Sequence, residues 1–389
     1  MCFLKKILTL FLTGSAFATT IPIYIGSYST PFGAQGKGIY LIKLDTQTGK
    51  LESADPYVVY PNEAGDNPSY MVINNNYMYV VEENPIGSVV GYKILPNLNL
   101  EKINSEIISG AYPAYITYYS GSLIIADYGD GKSSTAGVVV VPVGVNGVIS
   151  KETQHIAYDG HGKDLDRQSA SHTHSTYVID GENGQKLVFV VDLGLDKIFV
   201  YNLDIKTHKL LLKYTNDVVD LKNTNVATGP RHLAFSKDNN FVYVANELSS
   251  DIIMYKLNKL TGQLTFTQKI MSYEGKLKDV RNYPSAIAVS FDGKYLYISN
   301  RGQNTIAQFI IDTNGQLKYT KEFDTHGNYP RDFSIDHTGN YLVVGNQKSD
   351  NMVLFKINKN TGALEDPQMK HIPTPVVLKF VDPVVTMKK

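Results

Sequence analysis

The chain has 389 residues, of which 43% are hydrophobic and 19% are charged. Its 37 Lys and Arg residues balance its 37 Asp and Glu residues, so bulk charge gives no support for a nucleic-acid-binding or membrane-surface protein. Intrinsic disorder is disfavoured as well, because the apolar content can fill a core. With 27 Tyr, 15 Phe, 31 Gly and no Trp, the composition favours strands and turns over helices.

The first residues of the chain have the pattern of a signal peptide. Two lysines precede an apolar run at residues 7–12, and Ala16-Phe17-Ala18 matches an A-x-A cleavage site. We therefore expect residues 1–18 to be removed, with cleavage after Ala18, and residues 19–389 to be periplasmic or secreted. The apolar run is shorter than the roughly 20 residues that a membrane-spanning helix needs. Cys2, the single cysteine, precedes this cleavage site, so the mature chain is expected to have no disulfide and no cysteine-ligated zinc.

Strand-like segments of one type recur seven times along the mature chain. Several of them run into a Thr-Gly or Asn-Gly turn followed by Leu, which is a hairpin signal. Another strand precedes each copy, and a third type, usually opened by Pro, precedes six of those. The recurring segments are 39–44, 89–94, 138–143, 198–203, 252–257, 306–311 and 352–357.

These repeats predict an all-β fold, a seven-bladed β-propeller with four antiparallel strands per blade. Residues 19–389 divide into seven units of about 53 residues, close to the period of known propeller repeats. The N-terminal unit lacks its Pro-opened strand, whereas Pro375 opens an unused one at the other end of the chain. We therefore expect the C-terminal strand to close the ring, which leaves no long sheet edge exposed. A β-sandwich or several small β-domains would not explain the displaced strand.

The topology predicts where chemistry can occur. In an up-and-down blade, the start of the innermost strand and the end of the second strand lie on one face, because the two strands are antiparallel. Side chains at these positions surround one mouth of the central channel, which suits an anionic or polyhydroxylated small molecule. The positions are Ser69 with Glu82, Ala114 with Asp127, His174 with Asp192, Arg231 with Asn246 and Glu247, Ser285 with Asn300 and Arg301, and Arg331 with Asn346 and Gln347.

At these positions the sequence resembles the β-propeller lactonase family, which includes the bacterial 6-phosphogluconolactonase type and the fungal carboxymuconate lactonizing enzymes. The resemblance implies that His174, Arg231, Glu247 and Arg301 are catalytic. We expect the substrate-binding residues to be Asp192, Asn246, Asn300, Arg331 and Asn346. The matching segments are 171–174, 191–197, 229–232, 245–247, 284–286, 299–302 and 330–331.

Each proposed catalytic residue also has a structural interpretation. His174 could be a hydrogen-bonded wall histidine, although His is the side chain best suited to proton transfer near neutral pH. Arg231 and Arg301 could pair with Glu247 and Asp196 to lock neighbouring blades, or they could bind a carboxylate, a phosphate or a developing oxyanion. Glu247 could be a counter-ion, or it could act as a general acid or orient the attacking water.

A cluster of possible metal ligands lies in an inserted loop. With a carboxylate, a His-x-His pair on one strand face could hold zinc. We favour a solvated polar loop and expect no metal, because Gly160 and Gly162 work against a rigid ligand frame. No dinucleotide fingerprint, Walker loop or serine nucleophile elbow is present in the sequence, so no cofactor is expected. The candidate ligands are His155, Asp159, His161, Asp164, Asp166, His172 and His174.

Two functions remain open at this point. The first is a monomeric lactonase that hydrolyses a sugar-derived lactone, with His174 taking a proton from water while the arginines stabilise the oxyanion. The second is a non-enzymatic exported propeller that binds a ligand or a partner protein at the same mouth. Segments 158–171 and 214–228 lengthen two blade connections and are candidate lids or partner sites.

Overall fold

The computed structural model describes residues 20–29, 34–61, 66–131, 135–219, 225–275 and 281–381. The expected signal peptide and its cleavage site lie outside these residues. Within them the chain forms seven antiparallel sheets, and one short 3-10 turn, Glu182–Gly184, joins two strands of blade 4. In this part of the chain, no helix has the length and apolar character needed to cross a membrane.

Each sheet is one blade, and its strands follow one another from the channel outwards. Blade 1 consists of Pro375–Phe380, Thr20–Ser27, Gly38–Asp45, Lys50–Leu51 and Tyr57–Pro61. Blades 2 and 3 consist of Pro68–Asn74, Tyr77–Glu82, Ser88–Ile94 and Leu100–Ile107, and of Pro113–Tyr119, Ser122–Asp127, Gly137–Pro142 and Gln154–Ala157. Blades 4 and 5 consist of Thr173–Asp180, Lys186–Asp192, Lys197–Asp204 and Lys209–Asp217, and of Pro230–Phe235, Phe241–Asn246, Asp251–Leu257 and Leu264–Met271. Blades 6 and 7 consist of Tyr283–Val289, Tyr295–Arg301, Thr305–Ile311 and Leu317–Asp324, and of Pro330–Ile335, Tyr341–Asn346, Asn351–Ile357 and Leu364–His371.

The C-terminal strand closes the ring, as the sequence predicts. Pro375–Phe380 pairs antiparallel with Thr20–Ser27 and forms the innermost strand of blade 1. The innermost strand of every blade also contacts that of the next blade, all the way round. One detail differs from the expectation, because the outer strand of blade 1 is split into two short segments. Pro56 lies in the interruption, and proline has no N–H group to donate to a ladder.

Face-to-face packing of the blades explains the apolar runs in the second and third strands. Val138, Val139, Val140 and Val141 are all fully buried, so both faces of this strand are covered by neighbouring blades. A strand covered on both faces loses the alternation of apolar and polar residues. The outer strands, such as Leu100–Ile107, lie at the rim and are mostly exposed or half-buried.

A β-bulge occurs at the same place in all seven blades, near the start of the innermost strand. In blade 2, Pro68 pairs with Glu82 and Tyr70 with Val81, so Ser69 is left without a ladder partner. A bulge places an extra residue on one strand and turns its side chain away from the regular pattern. The bulged residues are Ser69, Ala114, His174, Arg231, Ser285 with Ala286, Arg331 and Val376.

Candidate active site

A cavity of about 570 Å³, which we call the mouth cavity, opens at the end of the channel where the bulges lie. Its volume falls in the range of small-molecule sites. Five of the seven blades contribute the residue that directly follows the last paired residue of the second strand, and blade 6 contributes Arg301, its last paired residue. The lining residues are Tyr28, Glu83, Tyr128, Arg167, His174, Glu247, Arg301, Tyr329, Arg331, Gln347 and Lys348.

His174 occupies the bulge of blade 4 and faces the mouth cavity. Its imidazole is buried, and its Nδ1 atom has no hydrogen-bond partner. Burial, together with the positive charges of Arg231, Arg331 and Arg301, lowers the pKa of His174 well below its ordinary value. The ring is therefore neutral at physiological pH and able to accept a proton.

Glu247 is the centre of an ionic cluster on one side of the mouth cavity. Its Oε1 accepts a hydrogen bond from Arg167 Nη2 at 2.6 Å, and its Oε2 accepts one from Arg301 Nη2 at 2.5 Å. Arg231 Nε lies 3.2 Å from the same Oε2. Burial alone would raise the pKa of Glu247, but the three guanidinium groups outweigh it and hold that pKa well below its ordinary value. Glu247 is therefore a carboxylate at neutral pH.

Arg231 is not part of the cavity wall. Its guanidinium is buried behind Glu247, with Nη1 at 3.2 Å from His232 Nε2. Burial and the neighbouring Arg301 and Arg331 lower the pKa of Arg231 to about 9, so it keeps its charge at neutral pH. Of the two expected partners, Glu247 is present, whereas Asp196 instead accepts hydrogen bonds from Thr228 and Gly229.

A second ionic cluster lies elsewhere on the wall of the mouth cavity. Arg331, from the bulge of blade 7, donates to the Tyr28 hydroxyl at 2.7 Å. That hydroxyl in turn donates to Glu83 Oε2 at 2.5 Å. The wall therefore carries two carboxylates against four cations, Arg167, Arg301, Arg331 and Lys348, which gives it a net positive charge. Such a wall favours an anionic ligand.

Four of the five expected substrate-binding residues are not among the residues that line the mouth cavity. Arg331 lines the cavity, but the other four are fully buried and bonded to neighbouring turns. Adjacent residues of a strand point to opposite sides, so Asn246, Asn300 and Asn346 turn away from the cavity while the residues that follow them, Glu247, Arg301 and Gln347, line it. Asp192 binds Ser171 and the backbone of His172, Asn246 binds Asp251, Asn300 binds the carbonyl of Ser272, and Asn346 binds the carbonyl of Thr325.

Sequence reasoning missed several residues of the cavity wall. Tyr28, Glu83 and Tyr128 directly follow the second strands of blades 1, 2 and 3. Counting positions from the bulged residue of each blade, rather than from the strand end, identifies them. Arg167 comes from segment 158–171, and no local pattern indicates that its guanidinium reaches blade 5. Only the three-dimensional course of the loop brings it to Glu247.

The histidine-rich loop does not form a metal centre in the part of the chain that the structure describes. No three His, Cys, Asp or Glu side chains of these residues are placed as metal ligands would be. His161 instead contacts the carbonyl of Gly162, and His172 stacks on Tyr128 with ring centroids 4.3 Å apart.

Further along the innermost strands, aromatic side chains narrow the channel. Tyr70 and Tyr115 stack with centroids 4.0 Å apart, and the ammonium group of Lys379 lies 4.3 Å from the centre of the Tyr70 ring. His232 lies between this group and His174, with its ring centroid 5.3 Å from that of His174. A group of aromatic side chains therefore continues from His174 along the innermost strands.

Comparisons with known proteins agree with this architecture. The model of a family described as "Lactonase, 7-bladed beta-propeller" matches residues 22–380. A 6-phosphogluconolactonase of Bacillus subtilis is 32% identical over 371 residues, which cover 93% of this chain and 99% of that protein. The structure of a putative 6-phosphogluconolactonase of Bacteroides fragilis has a TM-score of 0.80 at 28% identity, covering 95% of this chain and 99% of the other. A periplasmic gluconolactonase of Pseudomonas aeruginosa has a TM-score of 0.81 at 25% identity, covering 93% and 99%. The chain therefore belongs to the seven-bladed β-propeller lactonase family.

Proposed function

We propose that this protein is a lactonase of carbohydrate metabolism that hydrolyses a sugar-derived lactone, of the kind named in its relatives, at the mouth cavity. The observation that carries the proposal is the position of His174, a neutral imidazole that faces the same cavity as the guanidinium groups of Arg301 and Arg331. A base and anion-binding donors around one small cavity are what hydrolysis of a lactone requires. The relatives named 6-phosphogluconolactonase and gluconolactonase support this reaction class.

The proposed reaction is an acyl transfer to water. Water attacks the ring carbonyl carbon while His174 takes one of its protons, and the carbonyl oxygen becomes an oxyanion. The tetrahedral intermediate then expels the ring oxygen, which receives the proton from the imidazolium, so the product is the open hydroxy acid. Arg301 and Arg331 stabilise the oxyanion.

Arg231 acts as a positioning residue in this proposal. It lies behind Glu247, so its charge holds the carboxylate in place and keeps the pKa of His174 low without contact to the substrate. An anionic substrate offsets part of the positive charge around His174, which raises the basicity of the imidazole at the moment when it is needed.

Replacement of His174 by Ala is expected to reduce kcat/KM about 100- to 10,000-fold, which is the usual contribution of a general base. The measurement is hydrolysis of 6-phosphogluconolactone and gluconolactone above the uncatalysed rate, with the melting temperature recorded for each variant.

Because His174 must be neutral to accept a proton, the wild-type kcat/KM should stay level through pH 6.5 and fall only at lower pH. Arg331→Gln removes a charge that lowers this pKa, so the acid limb should move towards neutral pH.

Two results would contradict the assignment of His174. One is an acid limb with the same midpoint in wild type and Arg331→Gln, and the other is an active His174→Ala variant. Binding of an aldonate without turnover of any lactone would favour the non-enzymatic alternative.

Export is part of the proposal. The N-terminal pattern of basic, apolar and small residues supports removal of residues 1–18, and the Pseudomonas aeruginosa relative is described as periplasmic. N-terminal sequencing of the protein from a cell fractionation is expected to begin at Thr19 in the exported fraction. An intact N-terminus in the cytoplasmic fraction would refute export.

A further inference from the structure

Arg167 differs from the other two arginines that hold Glu247. Arg231 and Arg301 belong to the strands of blades 5 and 6, and their side chains are 3% and 5% exposed. Arg167 belongs to the connecting segment before blade 4, and its side chain is 33% exposed. One carboxylate balances only one of these three charges, so Glu247 keeps two partners if Arg167 moves away.

The backbone beside Arg167 is firmly anchored, although the side chain is not. The neighbouring Gln168 is fully buried, and its side-chain amide donates to Leu193 O and to Asp196 Oδ1, both at 2.7 Å. Its Oε1 accepts from the backbone N–H groups of Lys163 and Asp164. The guanidinium therefore extends over the mouth cavity from a fixed base, and a change of rotamer alone can redirect it.

An aromatic ring lies close to this guanidinium while it binds Glu247. The Cζ atom of Arg167 lies 6.0 Å from the centre of the Tyr283 ring, and an aromatic face attracts a cation. Asp164, in the same segment, lies 3.7 Å from Arg281, so the segment reaches from blade 4 past blade 5 to the entrance of blade 6. The Tyr283 face therefore continues to attract the cation when its hydrogen bond to Glu247 breaks.

We propose that Arg167 is the specificity-determining residue of this site: it releases Glu247 when substrate enters and binds the acid group of an anionic lactone, which the enzyme thereby selects over a neutral one. This inference rests on the proposed lactonase function. Of the three cations that hold Glu247, the partly exposed Arg167 gives up least burial when it turns to a new anion. A bidentate guanidinium also matches the geometry of a carboxylate or phosphate.

The experiment compares 6-phosphogluconolactone with gluconolactone in the full-length protein and in Arg167→Ala, Arg167→Lys and Arg281→Ala. In Arg167→Ala, the ratio of kcat/KM for the phosphorylated over the neutral lactone is expected to fall about 10- to 100-fold, mainly through KM. Lysine keeps the positive charge but lacks the planar guanidinium that can form two parallel hydrogen bonds. Arg167→Lys should therefore recover part of the ratio that is lost in Arg167→Ala. Arg281 is exposed and lies outside the cavity wall, and Arg281→Ala should leave the ratio within twofold.

If kcat/KM for both lactones falls by the same factor in Arg167→Ala, the proposal is overturned, because Arg167 would then only support Glu247. An unchanged ratio would overturn it as well. Calorimetric binding of 6-phosphogluconate and gluconate separates this inference from the proposed function. If the wild type hydrolyses neither lactone, the reaction assignment fails, while selective binding of the phosphorylated acid that is lost in Arg167→Ala would still support the role of Arg167 in anion selection.

Discussion

Removal of residues 373–389 is expected to abolish cooperative unfolding and to cause aggregation. The deletion takes away the innermost strand of blade 1, in which Val377 and Leu378 are fully buried. It leaves the N–H and C=O groups of Thr20–Ser27 without partners on one side, and it exposes apolar surface on both neighbouring blades. The measurement is thermal and denaturant unfolding followed by circular dichroism, with light scattering to detect aggregation.

A matched control is a chain that ends at residue 381 and keeps the closing strand, which should unfold as the full chain does. The point variant Leu378→Ala keeps the strand but removes buried side-chain volume, and it should cost about 2 to 5 kcal/mol. Unchanged melting of the protein that lacks residues 373–389 would disprove ring closure as the source of stability.

Glu247→Gln is expected to lower the free energy of unfolding by about 3 to 5 kcal/mol, since it leaves three guanidinium groups around a neutral amide. Glu83→Gln is the matched control, because Glu83 is half-buried and lies 3.6 Å from the single guanidinium of Arg331. Its loss should be about 1 kcal/mol or less. Urea unfolding of both variants measures the difference. Equal losses of unfolding free energy would contradict the assignment of Glu247 as the centre of the cluster.

The difference between wild type and Glu247→Gln should depend on pH in a defined direction. The folded-state pKa of Glu247 lies below that of the unfolded chain, which is about 4.3, so the carboxylate stabilises the protein at every pH above that value. This stabilisation is lost as the pH falls from about 4 towards the folded-state pKa. The two proteins should therefore differ by a constant amount above about pH 5 and converge in acid. A difference that grows in acid would contradict the ionic role of Glu247.

The fold could be predicted from the sequence because each blade repeats the same local signals. Pro68, Pro113, Pro230 and Pro330 each open an innermost strand in the structure, as their position after a turn suggests. A repeated pattern also shows which strand is displaced, and it predicts that the strand opened by Pro375 belongs to blade 1, where the structure has it. Each of these signals involves residues that are close together in the chain. The number of repeats then predicts a ring of seven blades.

The candidate site was predicted less completely, for two physical reasons. The first is the alternation of side chains along a strand. A shift of one residue reverses which side a side chain faces, so the strand-end pattern predicts Asp192 and Asn246 at the cavity and misses Tyr128. The second is distance along the chain. The contact between Arg167 and Glu247 joins residues 80 positions apart, and a long loop carries no periodic signal for where its side chains go.

The bulge repeated in the innermost strands has a consequence for how this fold can change. A bulged residue makes no ladder pair, so its side chain can be replaced without altering the hydrogen bonds that define the blade. His174, Arg231 and Arg331 occupy three of these positions, whereas Ser69, Ala114 and Val376 place small or apolar side chains at the equivalent points of other blades. In evolution, side chains at these unpaired positions can therefore be exchanged while the seven-bladed ring stays the same. A change of substrate then needs no change of scaffold.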